Sequence, residues 1–151
     1  YKKHVKEVFP LLSEVLCFQK AVPVWASGRE SEMNLSLMFE AEIPEKLTEA
    51  EIWITASCSY ILFLNGSFVQ AGPARCAKGF FRVDRFPIKT EADGKNILSV
   101  LVAGYNVNSY QFLDQTSFLC AEVKSPDGET ILYTDAEGAG GFSARVYMER
   151  L

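Results

Sequence analysis

Few groups in this chain could do covalent chemistry. Its 151 residues include 19 Asp and Glu, 4 Cys and a single His. Acid–base cleavage of an acetal needs two carboxylates about 5–10 Å apart, one protonated and one ionised. Asp84, Asp93, Asp114, Glu122 and Asp127 are available, but no spacing among them forces that geometry, and each reads as a solvated surface acid. Ser-His-Asp or Cys-His chemistry lacks a base in a useful place, because the lone histidine is His4 and no Gly-x-Ser-x-Gly elbow occurs. Gly138, Gly140 and Gly141 are not followed by Gly-Lys-Ser/Thr, so they form no phosphate loop. The cysteines at 17, 58, 76 and 120 contain no C-x-x-C pair, which argues against zinc. Cys58 and Cys120 fall in apolar runs and read as small core residues; three disulfide pairings stay open, and with them the redox compartment. The expectation is no catalytic residue and no metal ligand.

Binding chemistry is better represented. Gly104–Gln115, GYNVNSYQFLDQ, sets Tyr105 and Tyr110 beside Asn106, Asn108, Gln111 and Asp114. Aromatic faces for C–H surfaces, with amides and carboxylates for hydroxyls, are what a carbohydrate site uses. The alternative is that the tyrosines prop the loop on the core and the amides cap turns. Arg75, after the rigid Gly72-Pro73, has Asp84, Asp114 or a neighbouring domain as partners, with internal pairing expected. If the chain contacts sugar, the expected residues are Tyr105, Asn106, Asn108, Tyr110, Gln111 and Asp114, aided by Arg75. Trp53 faces away from Ile52 and Ile54 and reads either as a half-exposed sugar platform or as a second-layer core residue.

These side chains need a scaffold, and the hydropathy pattern supplies one. Leu35, Leu37, Phe39, Ala41 and Ile43 alternate with Asn34, Ser36, Met38, Glu40 and Glu42, the period of a half-buried strand. Glu51–Ala56 alternates again. Tyr60–Val69 reads as a hairpin about Asn65-Gly66, since both residues tolerate the positive φ of a type I′ turn. Phe80–Ile88, closed by Pro87, Ile97–Val102, Phe118–Val123 and Ile131–Thr134 follow. Ile97–Val102 is apolar on both faces, as a central strand would be. About eight short strands at turn-punctuated spacing predict an all-β, two-sheet antiparallel β-sandwich of jelly-roll type, about four strands per sheet. Leu35, Leu37, Phe39, Ile54, Leu62, Leu64, Val100, Val102 and Leu119 are the predicted core. A turn of helix before Cys17 is compatible with the pattern, and Ala136–Gly141 reads as an exit linker.

Composition sets bounds on partners. A hydrophobic content of 48% fits one globular domain. A formal charge of −4 and scattered Lys and Arg exclude a phosphate-tracking stripe, so no nucleic acid is expected. No apolar run reaches membrane-span length. Tyr1 and the RVYMERL end read as cuts through a longer protein.

Four segments together carry a family resemblance: WITASCSYILFLNG (Trp53–Gly66), GPAR (Gly72–Arg75), FFRVDRFPI (Phe80–Ile88) and GKNILSVLVAGYN (Gly94–Asn106). Over roughly residues 16 to 135 the chain resembles the non-catalytic, galactose-binding-like β-sandwich domains upstream of the catalytic barrel in bacterial α-L-rhamnosidases. The resemblance implies a lead-in at 1–15, a sandwich at 16–135 and an exit linker at 136–151. It implies that the catalytic carboxylates sit in an (α/α)6 barrel of the same polypeptide, which this domain packs against and supports. It implies rhamnose-containing glycans as ligands and a periplasmic or secreted location. No cofactor is expected; related sandwiches often carry a structural calcium, but Asp93-Gly94-Lys95-Asn96 is too short and too basic for a calcium loop. It looks instead like the turn of a Gly-x-Asn-x-Leu-x-Val motif, with Asn96 capping it. The competing reading is an independent carbohydrate-binding or cell-surface adhesion module, and a third is a free-standing enzyme.

Overall fold

In the computed structural model, which describes residues 18–91 and 93–148, the alternating segment becomes β1 (Leu35–Ile43), buried at every second position. It is followed by β2 (Glu49–Ala56), β3 (Ser59–Leu64), β4 (Ser67–Gly72), β5 (Asp84–Lys89), β6 (Asn96–Gly104), β7 (Leu119–Lys124), β8 (Thr130–Tyr133) and β9 (Ser143–Val146). The strands form a five-stranded sheet, β4-β3-β6-β1-β9, facing a four-stranded sheet, β5-β2-β7-β8. Every pairing between these strands is antiparallel. This is the jelly-roll sandwich expected from the sequence, with β6 at the centre of its sheet.

The two inner faces close on one core. Leu35, Leu37, Phe39, Ile54, Leu62, Val100, Val102 and Leu119 are all buried in it. Leu64 is the exception: it lies at the end of β3, beside the turn, and packs only partly on the core. Tyr60 crosses the gap between the sheets. Its side chain is fully buried on β3, and its hydroxyl donates to Asp84 Oδ2 on β5 at 2.5 Å.

Three details depart from the sequence reading. There are nine strands among the described residues rather than about eight, and the sheets hold five and four. The added strand, β9, falls within 136–151 and pairs with β1 from Leu37↔Val146 to Glu40↔Ser143. Pro87 does not close its strand but lies inside β5. β5 is an edge strand, the place in a sheet where a residue without an N–H is tolerated. The strand starts at Asp84, so Phe80–Val83 is left as loop. The lead-in 1–15 and the helical turn before Cys17 lie outside the described residues.

The turns follow residue chemistry. Asn65 and Gly66 take φ of 51° and 79°, as a type I′ turn requires. Asn96 is buried; its Oδ1 accepts from Glu91 N at 2.8 Å and Asn65 Nδ2 at 3.0 Å, and its Nδ2 donates to Glu91 O at 2.9 Å. Asn65 Oδ1 in turn accepts from Ile97 N at 2.8 Å. One amide therefore ties Glu91 to the start of β6 and locks both to the hairpin. Asn96→Ala is expected to cost about 1–3 kcal/mol, read by urea denaturation, because buried backbone partners lose their bonds. A change under a few tenths of a kcal/mol would show that water replaces the side chain.

Candidate functional site

At one end of the sandwich, residues 72–82 and 110–115 flank an open groove of about 560 Å³, floored by the bend at Ser57-Cys58. The first wall begins at Gly72, where a Cβ would collide with the Asp84 carboxylate and lie 2.8 Å from the Tyr60 hydroxyl. Only glycine lets β4 pass the inter-sheet Tyr60–Asp84 bond. Beyond it come Arg75, Phe80 and Arg82. Phe80 is 41% exposed, while Phe81 turns inward to meet Phe118 edge-on at 4.7 Å. Arg82 Nε lies 3.2 Å from Asp84 Oδ1, which fixes the root of its guanidinium.

The second wall is held by its own short side chains. Ser109 Oγ accepts from Gln111 N at 3.2 Å and Phe112 N at 2.9 Å, and Asn108 Oδ1 accepts from Asp114 N at 2.9 Å. Gln115 Nε2 donates to the Ser57 carbonyl, tying the loop to the floor. Tyr105 stacks on Phe112 at 4.7 Å and 30°. Those contacts push Tyr110 outward, 95% exposed at the rim. Arg75 Nη1 donates to the Tyr110 carbonyl at 2.7 Å and so joins the two walls.

The structure thus brings together Arg75, Tyr110 and Gln111 of the expected set. Asn108, Asp114 and Tyr105 shape the loop instead. Asn106, at φ 47°, turns away: its Nδ2 donates to Glu32 O at 2.9 Å and Ser117 Oγ at 2.8 Å, so it anchors the loop to residues 30–32. Arg75 pairs with neither Asp84 nor Asp114; a backbone carbonyl is its partner, and Asp84 is taken by Tyr60 and Arg82. Phe80, Arg82 and Phe112 were not singled out by the sequence. The signal for the first two was the Phe-Phe-Arg run, which had been absorbed into a strand.

Two candidate acids prove not to be solvated surface groups. Besides Asp84, Glu122 is 0% exposed. Its carboxylate accepts from the backbone N–H groups of Gln19, Lys20 and Ala21 at 3.0–3.2 Å and pairs with Lys124 Nζ at 3.1 Å. Trp53, on the same outer face, is neither a bare platform nor a core residue. Lys124 Nζ sits 3.8 Å and the Arg85 guanidinium 5.1 Å from its ring centre, and its Nε1 donates to Glu51 Oε1 at 2.6 Å. Cys58, Cys76 and Cys120 are free thiols; burial pushes the Cys120 thiol up to about 12. Among the described residues no three His, Cys, Asp or Glu side chains gather as metal ligands would.

No family model and no curated protein matches the chain. By structure it is similar to a GH78 family rhamnosidase of Bacillus sp. GL1, with TM-score 0.71 and 28% identity over 84% of this chain and 13% of that one. It is also similar to the Streptomyces avermitilis α-L-rhamnosidase solved with L-rhamnose, with TM-score 0.57 and 13% identity over 86% of this chain and 12% of that one. A lectin from Pleurotus ostreatus matches with TM-score 0.63 and 18% identity over 93% of this chain and 39% of the lectin. The chain therefore spans a small part of either rhamnosidase and less than half of the lectin.

Proposed function

We propose that this chain is a non-catalytic accessory β-sandwich domain of an α-L-rhamnosidase-type glycoside hydrolase. On this reading it packs against an (α/α)6 catalytic barrel of the same polypeptide and contacts carbohydrate through the groove between residues 72–82 and 110–115. The observation that carries the reading is the asymmetric match to the Bacillus rhamnosidase, which takes in most of this chain and little of that enzyme. The sequence segments that resemble rhamnosidase sandwiches support the same assignment. The reading also puts the parent enzyme in the periplasm or outside the cell. Its cheapest test is the parent reading frame: a polypeptide without helical-barrel sequence beyond residue 151 overturns the accessory role.

A second reading, an independent carbohydrate-binding module, is favoured by the similarity to a lectin. Both readings use the groove, and a stacking aromatic at its rim decides whether it is used. Tyr110→Ala is expected to leave thermal stability unchanged, since the side chain is almost wholly exposed, and to weaken glycan binding about tenfold. Calorimetric titration of wild type and variant with rhamnose-containing oligosaccharides checks it. Binding that ignores the substitution would move the contact elsewhere.

A further inference from the structure

Charge is distributed unevenly about the groove. The chain carries a formal charge of −4. Yet among the described residues no Asp or Glu lines this groove, and Arg75 and Arg82 both do. A neutral sugar hydroxyl both donates and accepts, so a site for neutral sugars benefits from carboxylate or carbonyl acceptors. A wall of guanidinium N–H groups suits a ligand group that only accepts. An ionised carboxylate is such a group, and its two oxygens match the guanidinium fork.

We infer that the groove selects an acidic glycan, with Arg75 and Arg82 binding the carboxylate of a uronic acid residue while Tyr110 and Phe80 take the sugar faces. The inference rests on the carbohydrate-binding reading above and narrows its ligand class. Both arginines are already positioned. Arg75 spends one of its five donors on the Tyr110 carbonyl, which couples the cation to the rim aromatic. Arg82 is steadied through Nε by Asp84, itself held by the buried Tyr60 hydroxyl. Side chains held in place before binding lose less entropy when the ligand arrives.

The test compares one disaccharide in two forms: a glucuronosyl-rhamnose and its carboxyl-reduced counterpart, titrated calorimetrically into the 151-residue chain. The acidic form is expected to bind about tenfold tighter, with a gap that narrows as salt is raised. Arg75→Gln should remove most of that gap; because Arg75 is exposed, the lost bond to the Tyr110 carbonyl should lower the melting temperature only slightly. Arg82→Lys, which keeps the charge near Asp84 but loses the planar fork, should narrow it. Tyr110→Ala should weaken both forms alike. Equal affinity for the two forms, or a gap that Arg75→Gln leaves intact, overturns the acidic selectivity while the carbohydrate-binding reading stands. Binding of neither form overturns both.

Discussion

Glu122→Gln should destabilise the protein by about 3–5 kcal/mol, more than the loss of the Asn96 amide. The carboxylate is fully buried on the outer face of the four-stranded sheet, and its partner Lys124 has a side chain only 7% exposed. Neutralising one member leaves a largely buried ammonium with only the Trp53 ring in contact and the Glu51 carboxylate acting on it through space. The same carboxylate gathers three successive N–H groups at Gln19–Ala21, so the substitution also loosens residues 19–21 from the sheet. Val22 and Val24 continue that attachment through backbone bonds to Thr134 and Leu119. Urea denaturation gives the first effect; faster proteolysis near residue 20 gives the second. Adding Lys124→Met should recover part of the loss, since the stranded charge is gone. A cost below about 1 kcal/mol for Glu122→Gln would mean that water reaches the pair.

Tyr60 should show the second-largest effect. Its ring fills the core and its hydroxyl joins the sheets at Asp84. Tyr60→Ala is expected to cost about 3–5 kcal/mol through the cavity it leaves. Tyr60→Phe keeps the ring and should cost about 1.5–3 kcal/mol, the range for a hydrogen bond to a charged group. Burial, and then the Asp84 carboxylate, hold the phenol pKa well above its ordinary value of 10.0. A group with a raised folded-state pKa contributes its full stability below the unfolded value and loses it as pH climbs toward the folded one. The wild-type protein should therefore lose stability from about pH 10 upward more steeply than Tyr60→Phe. Denaturation curves at about pH 7, 9 and 11 for the two proteins check the sign. Parallel declines would show that the phenol titrates no differently in the folded and unfolded states.

Periodicity made most of the fold legible. Strand β1 alternates strictly, β6 is apolar on both faces, and Asn65-Gly66 could hardly be anything but a hairpin turn. β9 was invisible because Ser143–Val146 is a short edge strand, exposed at three of four positions, held mainly by its backbone pairing with β1. Pro87 misled because a proline ends a central strand but not an edge one. The groove was half legible: the 104–115 composition marked the loop, whereas the roles within it depend on which amide meets which backbone group. Asn106 and Asn108 look alike in sequence, yet one anchors the loop and the other closes it. Arg75 finds a carbonyl and Glu122 finds three N–H groups. An amide in a turn announces its main-chain partners, as Asn96 did, but an arginine or a glutamate does not, so a reading built on side-chain pairs could not foresee either.

The position of β1 has a consequence for how the chain acquires its shape. Phe39 on β1 pairs with Val100 on one side and Ala144 on the other. Neither neighbour exists when β1 leaves the ribosome, and no local partner can substitute. From Ile43 until Asn96 is made the chain carries a half-apolar strand with two unsatisfied edges, and the second edge stays open until β9 follows. Docking must wait for loop closures that span much of the sequence, which puts folding on the order of milliseconds to seconds rather than microseconds. The segment most exposed to mispairing with another chain during that interval is Leu35–Ile43, and a chaperone that holds nascent strands apart should find its binding site there.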